Sequence, residues 1–294
     1  MKKTNLTRII LLLMLLCLIG LSGKNTTIYA AESDFQVDPS GVLQSYTGAG
    51  GKVTLPKSVK TISSRAFSGN TAITGIYMPD TVRTIENGAF DSCYFLKEVD
   101  LSNKLTTIGD NAFWGCTSLS RISIPKSVTT IGFGAFGHCD SLKSIYIPKS
   151  VSSIGNYAFG FVYYGDFSPL TDFMLIGEKG SAADQYARKY DFLLITKSML
   201  KTSLKKISNT KNQYKIIWNK NRNVSGYEIQ ISTDKKFSKA KTQTILVKKY
   251  TKMNYLYKAA KGKTYYVRIR GYKNAAGEKY FSSWSKVKSF HSSK

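Results

Sequence analysis

The stretch SLKSIYIPKSVSSIG, residues 141–155, decides the fold, because nearly the same string, SLSRISIPKSVTTIG, stands 23 residues earlier at 118–132. Sliding the whole chain by that interval aligns five columns. Val53, Ile76, Val99, Ile122 and Ile145 form the first, and Leu55, Met78, Leu101, Ile124 and Ile147 the second. Ile62, Ile85, Ile108, Ile131 and Ile154 form the third. The run of Ala66, Ala89, Ala112, Ala135 and Ala158 is followed in each copy by Phe67, Phe90, Phe113, Phe136 and Phe159. A period of this length belongs to a solenoid, in which one coil cannot bury its own apolar side and must stack on its neighbours.

Within a coil, the pattern Leu142-x-x-Ile145-x-Ile147-Pro148 alternates as a strand with one buried face does, and Pro148 ends the ladder because it carries no amide proton. One short strand per coil, stacked at about 4.8 Å, predicts a continuous parallel sheet roughly 20–25 Å long. Ser-Val-x-x-Ile-Gly turns the chain, and the Ala-Phe pair drives the return side into a core with a spine of stacked rings. The register slips after Phe159. Leu170-x-x-Phe173-x-Leu175 repeats the strand pattern 28 residues after Leu142, so five residues are inserted near GFVYYGDF and the last coil is irregular. Ser181 and Asp184 then have the spacing of a capping box, and Ala183, Tyr186, Ala187 and Tyr190 share one helical face. Residues 181–196 read as a helical cap on the open end of the stack.

These residues resemble the leucine-rich repeats of the bacterial surface-antigen class called BspA-like, whose pattern runs Cys/Asn-x-x-Leu-x-x-Ile-x-Ile-Pro and then Ser-Val-x-x-Ile-Gly-x-x-Ala-Phe. The resemblance covers about residues 41–196, and GVLQSYTGAGG at 41–51 looks like the amino-terminal cap of such arrays. Ser102 replaces the usual Pro, and Ser63 and Glu86 replace the Gly. The resemblance implies adhesion to host matrix proteins, host cells or other bacteria, an association rather than a derivation, since one repeat scaffold hosts many partners.

The chain opens on the basic MKKTNLTR, an apolar run of 13 residues (9–21) and small or polar residues up to IYAAES, the pattern of a secretory signal peptide over 1–31. The run is too short for a typical membrane span, and the residue before Cys17 is Leu16 where lipidation wants a small one. The ending SFHSSK carries no sorting motif, so a secreted or non-covalently surface-associated protein with no span after cleavage is expected. The repeats occupy 32–196.

From about residue 199 short alternating runs take over: YKIIW at 214, YEIQIS at 227, TILV at 244, YYVRIRGY at 265 and KVKSF at 286. They predict an antiparallel β-sandwich over 197–294. Trp218, Tyr227, the Gly262 and Tyr265 pair of a tyrosine corner, and WSKVKSF at 284–290 resemble a fibronectin type III domain, with Ala259 standing where the corner's usual Leu would be. The predicted class is therefore mainly β, a leucine-rich repeat solenoid with a capping helix followed by a sandwich.

The net charge of +25 is uneven. Residues 32–196 hold 14 basic and 15 acidic side chains, whereas 197–294 hold 25 basic and 3 acidic. Such a field attracts polyanions and weakens with salt. Arg268 and Arg270 alternate with apolar residues and predict one exposed basic face, extended by Lys235, Lys236, Lys239, Lys241, Lys248 and Lys249. Wall polymers, acidic headgroups, sulfated glycans and released nucleic acid all fit the charge, and so does an evenly basic surface kept for solubility. Tyr266 and Tyr272 flank the arginines as base-stacking rings do, but no nucleic-acid motif accompanies them, and nucleic acid is not the expected partner.

Cys93, Cys116 and Cys139 share a column with Asn70. Parallel Cα–Cβ vectors favour buried free thiols over a disulfide between neighbours, and a linear ladder beside His138 makes a poor tetrahedral zinc site. His138 and His291 are the only imidazoles, and no paired carboxylates or phosphate-binding loop stand out, so neither an enzyme, a cofactor nor a metal is expected. Function is expected in binding. The outward strand positions carry Thr54, Tyr77, Asp100, Ser123 and Tyr146 in one column and Lys52, Gly75, Glu98, Arg121 and Ser144 beside it. Tyr77, Glu98, Asp100, Arg121 and Tyr146 are the candidate contacts for a protein or glycan ligand outside the cell.

Overall fold

The computed structural model describes residues 30–210, 213–275 and 278–293. The signal-peptide reading of 1–31, with Cys17, lies outside the described residues apart from Ala30 and Ala31. Among the described residues no helix is long and apolar enough to cross a membrane.

The coils stack through two parallel ladders, one on the turn side and one on the alternating segment. On the turn side, two-residue strands at Thr61–Ile62, Thr84–Ile85, Thr107–Ile108, Thr130–Ile131 and Ser153–Ile154 pair in register, Thr on Thr or Ser and Ile on Ile. The main ladder uses the alternating segment. Gly51–Thr54, Ile73–Tyr77 and Glu98–Asp100 form one three-stranded sheet, and Ser144–Tyr146, Met174–Gly177 and Leu193–Thr196 another. The expected continuous sheet is thus corrected. Residues 120–124 make no backbone hydrogen bond to either neighbouring coil, although Ile122 and Ile124 remain buried. Side-chain burial holds that coil in line where the ladder parts.

The phenylalanine column forms the expected spine. Successive rings from Phe67 through Phe90, Phe113 and Phe136 to Phe159 lie 4.8, 5.0, 5.1 and 5.2 Å apart with interplanar angles of 15° or less. These separations match the strand spacing, so a ring on each coil meets its neighbours without distorting the backbone. The three cysteines lie in the same interior as free thiols. Each donates to the carbonyl of a phenylalanine in the preceding coil: Cys93 to Phe67 at 3.1 Å, Cys116 to Phe90 at 3.3 Å and Cys139 to Phe113 at 3.2 Å.

Both ends of the stack are closed. At the start, Phe35–Val37 folds antiparallel onto Val42–Tyr46, which then pairs with Thr61–Ile62, so the cap begins before the GVLQSYTGAGG segment. Phe35 and Tyr46 continue the spine at 5.1 and 5.2 Å. At the other end, helix α1 (Ala182–Lys189) buries Ala183, Tyr186 and Ala187. Tyr186 sets its ring across Phe159, and its hydroxyl both accepts from Phe159 N–H and donates to Phe159 C=O at 2.9 Å. The capping box does not form. Ser181 Oγ turns back to donate to Glu178 O, while the Asp184 carboxylate accepts the N–H of Gly180 and pairs with Arg188. The inserted residues form an antiparallel hairpin, Phe161–Tyr163 with Phe167–Pro169.

The second module is built from antiparallel sheets. Leu204–Thr210, Gln213–Trp218 and Asn254–Tyr257 form one. Thr242–Val247, Gly226–Ser232, Thr264–Ala275, Glu278–Phe281 and Lys288–His291 form the other. Trp218 and Tyr227 are buried edge to face at 5.4 Å, and the Tyr265 hydroxyl accepts the N–H of Ala260 at 3.0 Å beside left-handed Gly262. The first strand and those at Asn254 and Glu278 lack a clean alternation, which is why the sequence left them unmarked.

Two outcomes test this packing. Phe113→Ala removes a fully buried ring with neighbours on both faces and should cost about 3–5 kcal/mol in urea unfolding, while leaving the strand content of the remainder measurable by circular dichroism. Burial pushes the Cys93 thiol up to about 12 and raises Cys116 and Cys139 as well. The three thiols should therefore stay unreactive toward an aromatic disulfide reagent at mildly alkaline pH and react together once the chain is unfolded.

Candidate functional site

On the outward face of the first sheet, Lys52, Gly75 and Glu98 sit opposite one another in successive strands, as do Thr54, Tyr77 and Asp100. Gly75 has no side chain, so Lys52 reaches across it to Glu98: Lys52 Nζ donates to Glu98 Oε2 at 2.9 Å, and Tyr77 OH donates to the same oxygen at 2.7 Å. A Cβ on Gly75 would touch Lys52, Tyr77 and Glu98 at 3.4–3.6 Å. The Glu98 carboxyl is held below its usual range, first by the hydrogen bond from Lys52 and then by that from Tyr77, with Arg121 adding to the attraction. It stays ionised into mildly acidic solution, and the cluster loosens as pH falls through that lowered value.

Asp100 and Arg121 are exposed, and neither makes a side-chain hydrogen bond or ion pair among the described residues. Tyr77, Glu98, Asp100 and Arg121 are therefore on one open surface, with Arg121 at the break in the sheet. Lys52 was not singled out from the sequence. Its signal was there: a cation two coils from an acid in one column, with glycine between.

Tyr146 is a correction. It is half-buried against the second module, its ring 4.3 Å from that of Tyr280. It pairs in register with Ile176, and Ile176 with Ile195, both buried in one apolar cluster with Leu200, Val224 and the sandwich core. The outward column therefore changes from Thr, Tyr, Asp and Ser over the first coils to Tyr, Ile and Ile where the sandwich covers the sheet.

Arg268 and Arg270 are a second correction, since they do not present an open basic face. Their guanidinium groups interleave with three aromatic rings in the order Phe237, Arg268, Trp284, Arg270, Phe281, at 4.1, 4.5, 4.3 and 3.9 Å. Arg268 donates twice to Gln230 Oε1, and Arg270 pairs with Glu228 at 2.7 Å. Alternation placed both on one face correctly; of the rings between them, Phe237 comes from the loop before the Thr242–Val247 strand, and Phe281 and Trp284 from the end of the Glu278–Phe281 strand and just beyond it. Trp284 belongs to this stack, and the last strand starts only at Lys288. Lys235, Lys236, Lys239, Lys241, Lys248 and Lys249 are all exposed. They fall into two groups, four in the loop before the Thr242–Val247 strand and two just after it, separated by the roughly 20 Å of that strand.

His138 Nδ1 lies 2.9 Å from Asp140 and packs edge-on to Trp114 and Tyr164. Among the described residues no three His, Cys, Asp or Glu side chains gather as metal ligands would.

Known proteins resemble this chain in its repeats. No curated protein matches it. A leucine-rich repeat protein of T. pallidum is 29% identical over 51% of this chain and 71% of its own, with a TM-score of 0.45. A leucine-rich cell surface protein of Faecalibacterium prausnitzii is 29% identical over 52% of this chain and 39% of its own, with a TM-score of 0.43. The pneumococcal vaccine antigen PcpA is 19% identical over 59% of this chain and 49% of its own, with a TM-score of 0.44. Residues 46–163 match the model of the BspA type leucine-rich repeat region, in six copies.

Proposed function

We propose that the protein is an extracellular binding or adhesion module, in which the outward sheet face of the first four coils meets a protein partner and the basic sandwich contacts anionic polymers. One observation carries this reading. The outward column is polar and uncovered from Thr54 to Ser123 and turns apolar only at Tyr146, Ile176 and Ile195, where the sandwich lies over it. The second module thus closes one end of the face and leaves the Lys52, Tyr77, Glu98, Asp100 and Arg121 surface presented. The strand order of the sandwich, with buried Trp218 and the Tyr265 hydroxyl bond, supports a fibronectin type III-like reading.

The 25 basic and 3 acidic residues of 197–294 favour a second reading, retention in an anionic wall with the repeats as a spacer. The match to BspA-type repeats supports an outside location for either. No catalytic role is part of the proposal.

The two readings separate in the full chain. The double variant Asp100→Lys with Arg121→Glu should lower binding to matrix-protein surfaces about tenfold or more without changing the salt at which the protein leaves a heparin or wall-polymer column. Failure of the full chain to bind any matrix protein, glycan or wall polymer would remove the adhesion reading. Replacing Lys235, Lys236, Lys239 and Lys241 by Glu should bring elution to markedly lower salt, whereas Arg268→Ala, which breaks the ring stack, should act mainly on thermal stability. Retention unchanged by the lysine variant would count against a role for that loop.

A further inference from the structure

On the side of the solenoid away from the sheet face, the inserted hairpin builds a cleft of about 360 Å³ lined by Asp91, Asn111, Trp114, Phe133, Tyr163 and Phe167. Its size lies near the lower end of the roughly 300–1,000 Å³ typical of small-molecule sites. The repeat does not require these rings. The column of Trp114 holds Ser68 and Asp91 in the preceding coils, and that of Phe133 holds Ser64, Asn87 and Asp110. Aromatic side chains enter both polar columns in coils that lie beside the insertion.

The following coil makes room for Trp114. A Cβ on Gly137 would collide with its Cζ3, and one on Gly134, already left-handed, would lie 3.2 Å from Cε3. Phe167 is anchored by stacking on Tyr157 at 3.9 Å and 6°. Trp114 and Phe133 stand nearly perpendicular to Phe167, at 6.0 and 5.9 Å, and Tyr163 closes the rim at 6.4 Å from Trp114. Phe133 and Tyr163 stay 38% and 45% exposed.

Polar capacity remains unused in the same place. The Asn111 side-chain amide and the Trp114 Nε1–H make no hydrogen bond among the described residues, and Asp91 uses only Oδ1, accepting from its neighbour Ser92. Aromatic faces beside an acceptor and an amide suit a molecule that is apolar on one side and hydroxylated at its edges. A pyranose with equatorial substituents has that form: axial C–H groups on its faces and hydroxyls around its rim. Asp91 is the one charged group of the lining, which disfavours an acidic sugar and separates this cleft from the cationic sandwich.

We infer that the cleft between the inserted hairpin and the Trp114 and Phe133 turns is a binding site for a neutral, gluco-configured oligosaccharide. The rings take the C–H faces, and Asp91, Asn111 and the Trp114 N–H take the hydroxyls. The inference stands apart from the sheet-face reading, because it uses none of the same residues.

The test titrates the full chain with cellohexaose and N-acetylchitohexaose, following tryptophan fluorescence and heat, with a galactan oligosaccharide, whose hexose carries an axial hydroxyl, and oligogalacturonate as comparisons. Saturable binding of at least one of the two gluco-configured probes is expected, weaker by about tenfold or more for the comparisons. Tyr163→Ala, at an exposed rim position, should lower affinity about tenfold with little change in the thermal midpoint, and Trp114→Ala should abolish the fluorescence response. Asn111→Asp, which keeps a left-handed-tolerant residue but removes the amide donor, should weaken binding severalfold. The double variant Asp100→Lys with Arg121→Glu should bind the sugar as the parent does. The inference is overturned if neither gluco-configured probe binds, if oligogalacturonate binds as tightly, or if Tyr163→Ala and Trp114→Ala leave the affinity unchanged.

Discussion

The column of rings from Phe35 to Tyr186 fixes most of what the repeat domain can be. A single coil buries nothing by itself; it acquires an interior only when the next coil lays a phenyl ring over its own at about 5 Å. That contact sets the pitch, and the pitch brings the Thr-Ile bridges into register and places each thiol under a carbonyl of the coil before it. Where the backbone ladder parts at 120–124, the buried columns still hold the coil in line. Interior packing outranks hydrogen bonding between strands as the organising force here, in keeping with burial as the dominant favourable contribution to folding.

The repeat domain was legible because its core is periodic. Ile85, Ala89 and Phe90 each occupy one environment that recurs every 23 residues, so sequence spacing converts directly into spatial neighbourhood. The sites were legible only where they obey the same rule. Tyr77, Glu98, Asp100 and Arg121 follow the strand alternation and share the open face as expected. Tyr146 obeys the alternation too, but what covers it is a ring more than a hundred residues away, which no local pattern announces. The arginine pair fails for a similar reason, since Phe237 arrives from one segment and Phe281 and Trp284 from another. The cleft beside the hairpin was hidden by its own logic: it lies where the repeat departs from its consensus, and Trp114 and Phe133 stood out only once the insertion was seen folded beside them.

Charge and shape divide the labour between the two modules. The repeats are nearly neutral, and their outward face carries local groupings such as the Lys52, Glu98 and Tyr77 cluster. The sandwich carries the excess of lysine, with six of these side chains exposed in two groups at either end of the Thr242–Val247 strand. Arg268 and Arg270, by contrast, are engaged with its own aromatic rings, Gln230 and Glu228. Counting cations would treat all of these alike; only their neighbours distinguish a field from a rivet.

Tyr186 has a consequence for the size of the object. Its hydroxyl satisfies both the donor and the acceptor of Phe159 that a further coil would have used, and its ring turns across the column instead of along it. Together with the antiparallel strand pair at the opposite end, this closes the ring column at both ends. A repeating architecture with an inherent tendency to lengthen without limit is thereby ended at a defined coil.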